Sequence, residues 1–408
     1  MSYQNFKPKF PSQGNQFNRS TNNATSRPSF SNSRRKFINP GLKIDPNRFV
    51  NRAQPVEQNV AYEPEHRFAD FAISQKLKQN ILEKGYDKPT AIQDQSINYG
   101  LANRDIIGIA NTGTGKTAAF LIPLINKVIL DRRQKVLIMV PTRELAVQIQ
   151  TEFNSFATNL QISSAFCIGG ANIGSQISNL RRQPSFIIGT PGRLKDLITR
   201  KALWLGDFRS VVLDEADRML DMGFINDMRL ILSLLPTPRQ TLLFSATLSP
   251  EIETLTRQFQ KDPVKVIVKT RDTSAQIDQD IVRFTSDDHK IEMLHDLLIK
   301  PGFDKVLIFG ETKHGVEKLS KVLSERGFKA ASIHGNKTQP ARQSALRQFK
   351  ENQVKILVAT DVAARGLDIP HVSHVINYDV PASYTDYIHR IGRTGRAGNT
   401  GNALTFVR

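Results

Sequence analysis

Two α/β lobes in tandem, each a parallel sheet wrapped by helices, are what this sequence predicts. Three observations carry the prediction. Short apolar, β-rich runs alternate with helical stretches from about Phe68 to Thr270, the alternation restarts after a polar stretch, and the first 67 residues show no apolar periodicity. The chain has 408 residues and 39% hydrophobic content, enough for two or three buried cores.

Residues 1–67 differ in composition from the rest: 1–40 are rich in Asn, Ser, Gln and Pro, with scattered Phe, and cannot bury enough surface to offset chain entropy. The whole stretch 1–67 is expected to form a disordered basic tail. The tail holds 11 Lys+Arg against 4 Asp+Glu, a net +7 of the chain's +18, which leaves +11 for residues 68–408. The run Arg34-Arg35-Lys36 fits either a solvated tail or an arm that touches nucleic acid.

In the first lobe, residues 68–270, the runs Asp105–Ala110, Lys135–Val140, Phe186–Gly189, Ser210–Leu213 and Thr241–Phe244 read as buried strands. Glu144–Phe156 and Arg193–Ile198 have helical apolar spacing. Thr270–Ile277 is polar and weakly patterned, so 271–277 is expected to be a linker. In the second lobe, residues 278–408, strands are expected at Lys305–Phe309, Ala330–Ile333, Lys355–Ala359 and His374–Tyr378, with helices near Gly315–Arg326 and Pro340–Lys350.

Composition removes whole classes of function. The single cysteine, Cys167, cannot form an internal disulfide, which excludes a stapled secreted scaffold. No apolar run approaches the ~18 residues of a membrane helix, and MSYQNFKPKF lacks the apolar core of a secretory signal. A cytoplasmic protein is expected. A net charge of +18 points first to nucleic acid.

Ala110–Thr117 reads ANTGTGKT between an expected strand and the apolar stretch Ala118–Leu130. Small residues let backbone N–H groups close around phosphate oxygens at a helix N-terminus. Thr112, Gly113, Thr114 and Gly115 would form this cradle, Lys116 would reach the β- and γ-phosphates, and the Thr117 hydroxyl would ligate Mg²⁺. Ala110 stands where the general pattern has Gly. Further on, Ser210–Leu213 runs into Asp214-Glu215-Ala216-Asp217, which places carboxylates at the carboxyl end of a parallel strand. Asp214 would position Mg²⁺, through water, and Glu215 would orient or deprotonate the attacking water.

Those four residues spell DEAD, and the chain resembles the DEAD-box RNA helicases over essentially all of residues 68–408. The resemblance is carried in order by Gly85–Gln93 (GYDKPTAIQ), the phosphate loop, Pro141–Ala146 (PTRELA), Gly169-Gly170, Thr190–Arg193 (TPGR), DEAD and Ser245–Thr247 (SAT). It continues through Leu307–Lys313 (LIFGETK), Gln339–Arg342 (QPAR), Thr360–Asp368 (TDVAARGLD) and His389–Arg396 (HRIGRTGR). The compact core, without long insertions, looks more like bacterial members.

The resemblance implies two RecA-like doubly wound lobes that bind ATP and Mg²⁺ and hold RNA without sequence preference. Gln93 would read adenine and Phe68, 17 residues before Gly85, would stack on the base, although a core aromatic explains Phe68 equally well. Asp368 would contact the ribose, and Arg393 and Arg396 look like the arginine fingers. Asp217, Ser245, Thr247 and His389, with Arg390, would couple the ATP state to the RNA site. Taken without the resemblance, Ser245–Thr247 is an ordinary turn.

By the same resemblance Arg143, Gly170, Thr190 and Arg193 would hold RNA backbone on the first lobe, and Arg342 and Thr360 on the second. Read alone, Gly169-Gly170 is a turn and Arg342 a solvated helix face. The family's second lobe ends in a strand and a closing helix. Ala403–Arg408 covers the strand, so that lobe is expected to lack its last helix.

The expected function is local, ATP-dependent RNA unwinding or ribonucleoprotein remodelling by a monomer. The alternative is an ATP-gated RNA clamp or annealing factor with little unwinding. Ribosomal or RNA-decay partners are compatible with either, and the sequence names none.

Overall fold

The computed structural model describes residues 44–53, 62–111, 113–268, 276–364, 369–395 and 401–408. The first lobe is built on a 7-stranded sheet of β1 (Ile106–Ile109), β2 (Lys135–Met139), β3 (Ser164–Cys167), β4 (Phe186–Gly189), β5 (Phe208–Leu213), β6 (Gln240–Ser245) and β7 (Val264–Ile267). Their order is β3-β4-β2-β5-β6-β1-β7, with every pair parallel. The second lobe carries a 6-stranded parallel sheet of β8 (Ile277–Arg283), β9 (Val306–Phe309), β10 (Ala330–Ile333), β11 (Ile356–Ala359), β12 (His374–Asn377) and β13 (Gly401–Val407), ordered β10-β11-β9-β12-β13-β8. This is the expected pair of doubly wound lobes.

The reason lies in the strand sequences. Parallel strands joined by helical crossovers are covered on both faces, so they read as continuous apolar runs. Val136, Leu137, Ile138 and Met139 in β2 are all fully buried, and so are Val306, Leu307 and Ile308 in β9. Alternate residues feed opposite faces: Val136 and Ile138 join the core with Phe120 and Phe153, while Leu137 and Met139 join the one with Leu194 and Met228. In the second lobe Leu307 and Leu357 face one core, Val306 and Ile308 the other.

The edges depart from expectation. β3 and β7 are not among the expected strands, and β8 begins at Ile277, inside the expected linker. β3, β7 and β8 are sheet-edge strands. An edge strand is paired on one side, tolerates polar residues, and so loses the apolar run that betrays a central strand.

The expected tail is also too long. Residues 1–43, including Arg34-Arg35-Lys36, lie outside the described residues, as do 54–61 and 269–275. Within the same stretch, however, Asp45 caps a 3₁₀ turn over Pro46–Phe49, and Ile44 and Phe49 are buried with Ile277, Tyr387, Ile391 and Ala403 of the second lobe. Farther on, Tyr62 Oη (2.7 Å) and the Glu65 backbone N–H (2.8 Å) donate to the buried Asp94 carboxylate, which also pairs with His66 Nδ1 at 2.7 Å. Two apolar residues in a polar stretch make no periodicity, which is why composition alone misassigns this segment.

Candidate functional site

The chemistry-bearing runs follow the carboxyl ends of parallel strands, where ligands bind in open α/β sheets. β1 ends at Ile109, and the loop after it enters a helix at Lys116 whose N-terminus faces a cavity of about 1150 Å³. Gly113, Gly115, Lys116 and Thr117 line that cavity; Thr112 lies outside the described residues. Gly115 has φ +93°, and a Cβ there would sit 2.3 Å from Gln93 Nε2, so only glycine fits. Lys116 is buried and donates from Nζ to the Ala110 carbonyl at 2.8 Å, while the Thr114 hydroxyl donates to the Asn111 carbonyl at 2.8 Å. The Ala110 methyl packs into the core, and its backbone carbonyl holds the lysine. An alanine is therefore accommodated at this position.

β5 delivers the carboxylates. Asp214 is 2% exposed, and its Oδ1 accepts from the Glu215 N–H at 2.9 Å. Burial pushes the Asp214 carboxyl up to about 7, against the pull of Lys116, while Glu215 and Asp217 push it the same way as burial. A neighbouring cation would favour the ionised form of this carboxyl. With the Thr117 hydroxyl it makes an all-oxygen donor pair suited to Mg²⁺, which takes few protein ligands and keeps its waters. Glu215 sits in the left-handed region at φ +49°, which turns the chain so that both Asp214 and Glu215 line the cavity. Arg218 Nε lies 3.6 Å from Glu215 Oε2, and both are buried.

Asp217 reaches the end of β6. Its Oδ2 accepts from the Ala246 and Thr247 backbone N–H groups, each at 3.0 Å, and from the Thr247 hydroxyl at 3.2 Å. Ser245 Oγ accepts from the Asp217 N–H at 3.4 Å. The third carboxylate of the acidic run thus ties β5 to β6.

The two expected base contacts are placed differently. Phe68 is 2% exposed, with its ring centroid 6.0 Å from those of Phe71 and Tyr86, so it is a core aromatic. Tyr86 is the aromatic on the cavity wall. Gln93 is also buried, off the wall: its Oε1 accepts from the Thr90 N–H at 2.9 Å and its Nε2 donates to the Gly115 carbonyl at 3.0 Å. Thr90 Oγ1 donates to the Thr114 carbonyl at 2.7 Å. This motif braces the phosphate loop from below. Asp368 and Arg396 lie outside the described residues.

The expected backbone-binding residues divide into two groups. Arg143 lies across Gly169 and Gly170; a Cβ at Gly170, φ +75°, would sit 2.0 Å from Arg143 Nη1. Burial, with Arg342 and Arg193 nearby, holds the Arg143 guanidinium below its usual range. Thr190 starts a helix after β4, and Arg193 Nη1 donates to the Ala171 carbonyl at 3.3 Å. Thr360 follows β11, its N–H donating to the Ile333 carbonyl at 3.3 Å.

Arg342 is no solvated helix face. It is buried, with Nη2 2.7 Å from Glu144 Oε2 of the first lobe. Burial raises the Glu144 carboxyl, and Arg342 and Arg143 oppose that rise. Glu144 lies inside the PTRELA run, but no role was expected for it from the sequence. An acid in a helix's first turn usually serves the helix dipole, and no local pattern marks its distant partner.

Arg393 of the second lobe is 4% exposed and lines the cavity with Lys116, Thr117, Asp214 and Glu215. The helix Tyr384–Ile391 precedes it. Arg390 on that helix makes a two-pronged contact with Asp361 at 2.6 and 2.7 Å and donates to the Asp379 carbonyl at 2.6 Å. His389, Arg390 and Arg393 share a small cleft with Arg218.

Comparison with known proteins finds related families and structures. Residues 90–255 match the DEAD/DEAH box helicase family, and residues 289–398 match the helicase conserved C-terminal domain. An ATP-dependent RNA helicase CshA of Limosilactobacillus reuteri is 46% identical over 343 residues, covering 84% of this chain and 69% of that protein. The DEAD-box ATP-dependent RNA helicase CshA of Bacillus subtilis is 45% identical over 341 residues, 83% of this chain and 69% of that one. Among solved structures, S. cerevisiae Dbp5 bound to RNA and ADP BeF3 superposes with TM-score 0.74 at 30% identity, covering 84% of this chain and 89% of that one. The DEAD-box helicase Mss116 bound to ssRNA and UDP-BeF gives TM-score 0.76 at 29% identity, with coverages of 85% and 76%.

Proposed function

Because the chain belongs to the DEAD/DEAH box helicase family, we propose that it is an RNA-dependent ATPase that separates short RNA duplexes by closing its two lobes on one strand. What supports this most is one observation: Arg393 of the second lobe lines the same cavity as Lys116, Asp214 and Glu215 of the first. A complete hydrolytic site therefore needs both lobes together.

The residues then act in order. Lys116 exchanges the Ala110 carbonyl for the β- and γ-phosphates, and the loop N–H groups, with Thr112 among them, close on phosphate oxygens. Thr117 and Asp214 would hold Mg²⁺, whose chemistry is to neutralise phosphate charge. Glu215 orients the attacking water, and the planar guanidinium of Arg393, seconded by Arg396, stabilises charge spreading over the transferred phosphoryl group. Asp368 meets the ribose, and Gln93 acts through the loop it braces. Asp217, Ser245, Thr247 and His389 relay the nucleotide state to the RNA surface.

Arg143, Gly170, Thr190, Arg193, Arg342 and Thr360 hold phosphate and 2′-OH groups, which explains binding without sequence preference. ATP and single-stranded RNA each favour the closed state, so each raises affinity for the other. The setting is the cytoplasm, and no helix among the described residues is long and apolar enough to cross a membrane. A Glu215→Gln chain should retain ATP-dependent RNA binding while turning over slowly. Strand displacement from a short RNA duplex tests the rest. ATP-dependent displacement supports a helicase, and RNA-stimulated hydrolysis without displacement leaves the clamp reading. Hydrolysis at full rate without RNA would sink the coupling scheme.

A further inference from the structure

The helix Tyr384–Ile391 has two working faces. His389 and Arg390, with Arg393 just beyond the helix, share the cleft that contains Arg218 of the first lobe. Tyr387 and Ile391, one turn apart, are fully buried in a cluster that includes Ile44 and Phe49. Those two residues come from a segment that precedes both lobes in the chain.

The contact is specific. The Phe49 ring is fully buried, with its centroid 4.7 Å from that of Tyr387 at an interplanar angle of 52°. Tyr387 Oη donates to Gln279 Oε1 at 2.9 Å. Gln279 in turn exchanges backbone hydrogen bonds with Asn51, Asn51 N–H to the Gln279 carbonyl at 2.9 Å and Gln279 N–H to the Asn51 carbonyl at 2.7 Å. The Arg48 guanidinium lies 3.9 Å over the Tyr384 ring. Residues 44–52 thus lie beside the edge strand β8, bridged at Asn51–Gln279, and back the helix that leads to Arg393.

We infer that Phe49 is a positioning residue for the hydrolytic site: by packing on Tyr387 it fixes the helix Tyr384–Ile391 and so the placement of Arg393 in the shared cavity. This rests on the role proposed above for Arg393. Phe49 touches none of the reacting groups. Its effect passes through one aromatic contact to a helix whose far end carries the finger. A finger displaced by about 1 Å is enough to lose rate on the order of a hundredfold.

The test is RNA-stimulated ATPase kinetics of the full chain bearing Phe49→Ala, measured with its melting temperature. Because the first lobe holds the phosphates and Arg393 acts on the transition state, kcat should fall on the order of tenfold with KM for ATP little changed, and Phe49→Leu should recover most of the loss. In an Arg393→Ala background, read by single-turnover hydrolysis, Phe49→Ala should add no further loss. An unchanged kcat, or an equal loss with and without Arg393, overturns the inference. Should Phe49→Ala fail to fold, Phe49→Val in the same cycle tests the same coupling by the same two outcomes. A wild-type chain without RNA-stimulated hydrolysis would instead sink the function proposed above.

Discussion

Glu144 and Arg342 carry opposite charges into a place where water does not screen them, 2.7 Å apart and both buried. Removing one partner of such a pair leaves an uncompensated charge and costs about 3–5 kcal/mol in the arrangement that contains it. Because the pair joins two lobes, that cost belongs to their joined state and not to the folding of either one. Arg342→Ala should therefore weaken RNA binding in the presence of a non-hydrolysable ATP analogue by at least about tenfold, while nucleotide-free binding changes less. Fluorescence anisotropy with a short single-stranded RNA measures both, and equal losses would mean that Arg342 only touches RNA. Gly170 is the complementary case. With φ +75° and Arg143 Nη1 2.0 Å from an added Cβ, Gly170→Ala must strain the backbone or displace the guanidinium. It should reduce RNA affinity and lower stability by about 1 kcal/mol or more, measurable by urea unfolding. The sequence marks Gly169-Gly170 as a turn; that the turn is a bed for Arg143 depends on a helix elsewhere in the chain.

At the scale of elements, central strands are more legible than edge strands: of the four edge strands β3, β7, β8 and β10, only β10 was expected. β2, β4 and β9 are unbroken apolar runs because both faces are covered, whereas β8 spells IDQDIVR and pairs only with β13 inside its sheet. The docking of 44–52 on β8 was illegible for the same reason: its two anchors, Ile44 and Phe49, are isolated in polar sequence. In the second lobe, Glu317 on the helix Lys313–Glu325 accepts hydrogen bonds from Ser332 on β10 and lies 3.0 Å from His334 Nε2 and 3.4 Å from Lys337 Nζ. Those partners lower the Glu317 carboxyl to about 2. A carboxylate held below its unfolded value contributes stability at neutral pH and loses it as pH falls from about 4.5 towards about 2. Glu317→Gln should therefore destabilise the protein at neutral pH, by less than about 1 kcal/mol given its exposure, and the difference from wild type should shrink in acid. Urea titrations at about pH 7 and about pH 3 compare the two. A difference that grew in acid would contradict the assignment.

For the whole molecule the net charge of +18 has an uneven distribution. Residues 1–40 contain seven Lys/Arg and no Asp or Glu, and the two lobes carry the remaining function-specific cations, Arg143, Arg193 and Arg342 among them. If the basic stretch binds RNA phosphates, deleting residues 1–40, which leaves Ile44–Arg52 intact, should weaken RNA binding and flatten its salt dependence by roughly 0.7 in log–log slope per lost contact. An unchanged slope would assign the stretch no RNA role. Hydrolysis at saturating RNA should be unaffected, because Phe49 and its contacts remain. The sequence by itself determined the two parallel-sheet lobes, the phosphate loop and the order of the motifs. Each of those is written in a local run: apolar strand, small-residue turn, polar residues at the strand's carboxyl end. Only the tertiary structure decided that Phe68 is core, that Gln93 braces the loop, that Glu144 meets Arg342 and that Phe49 backs the arginine helix. These are choices of burial and partner between residues far apart in the chain, and desolvation energy depends on what surrounds a side chain after folding, which no local pattern records.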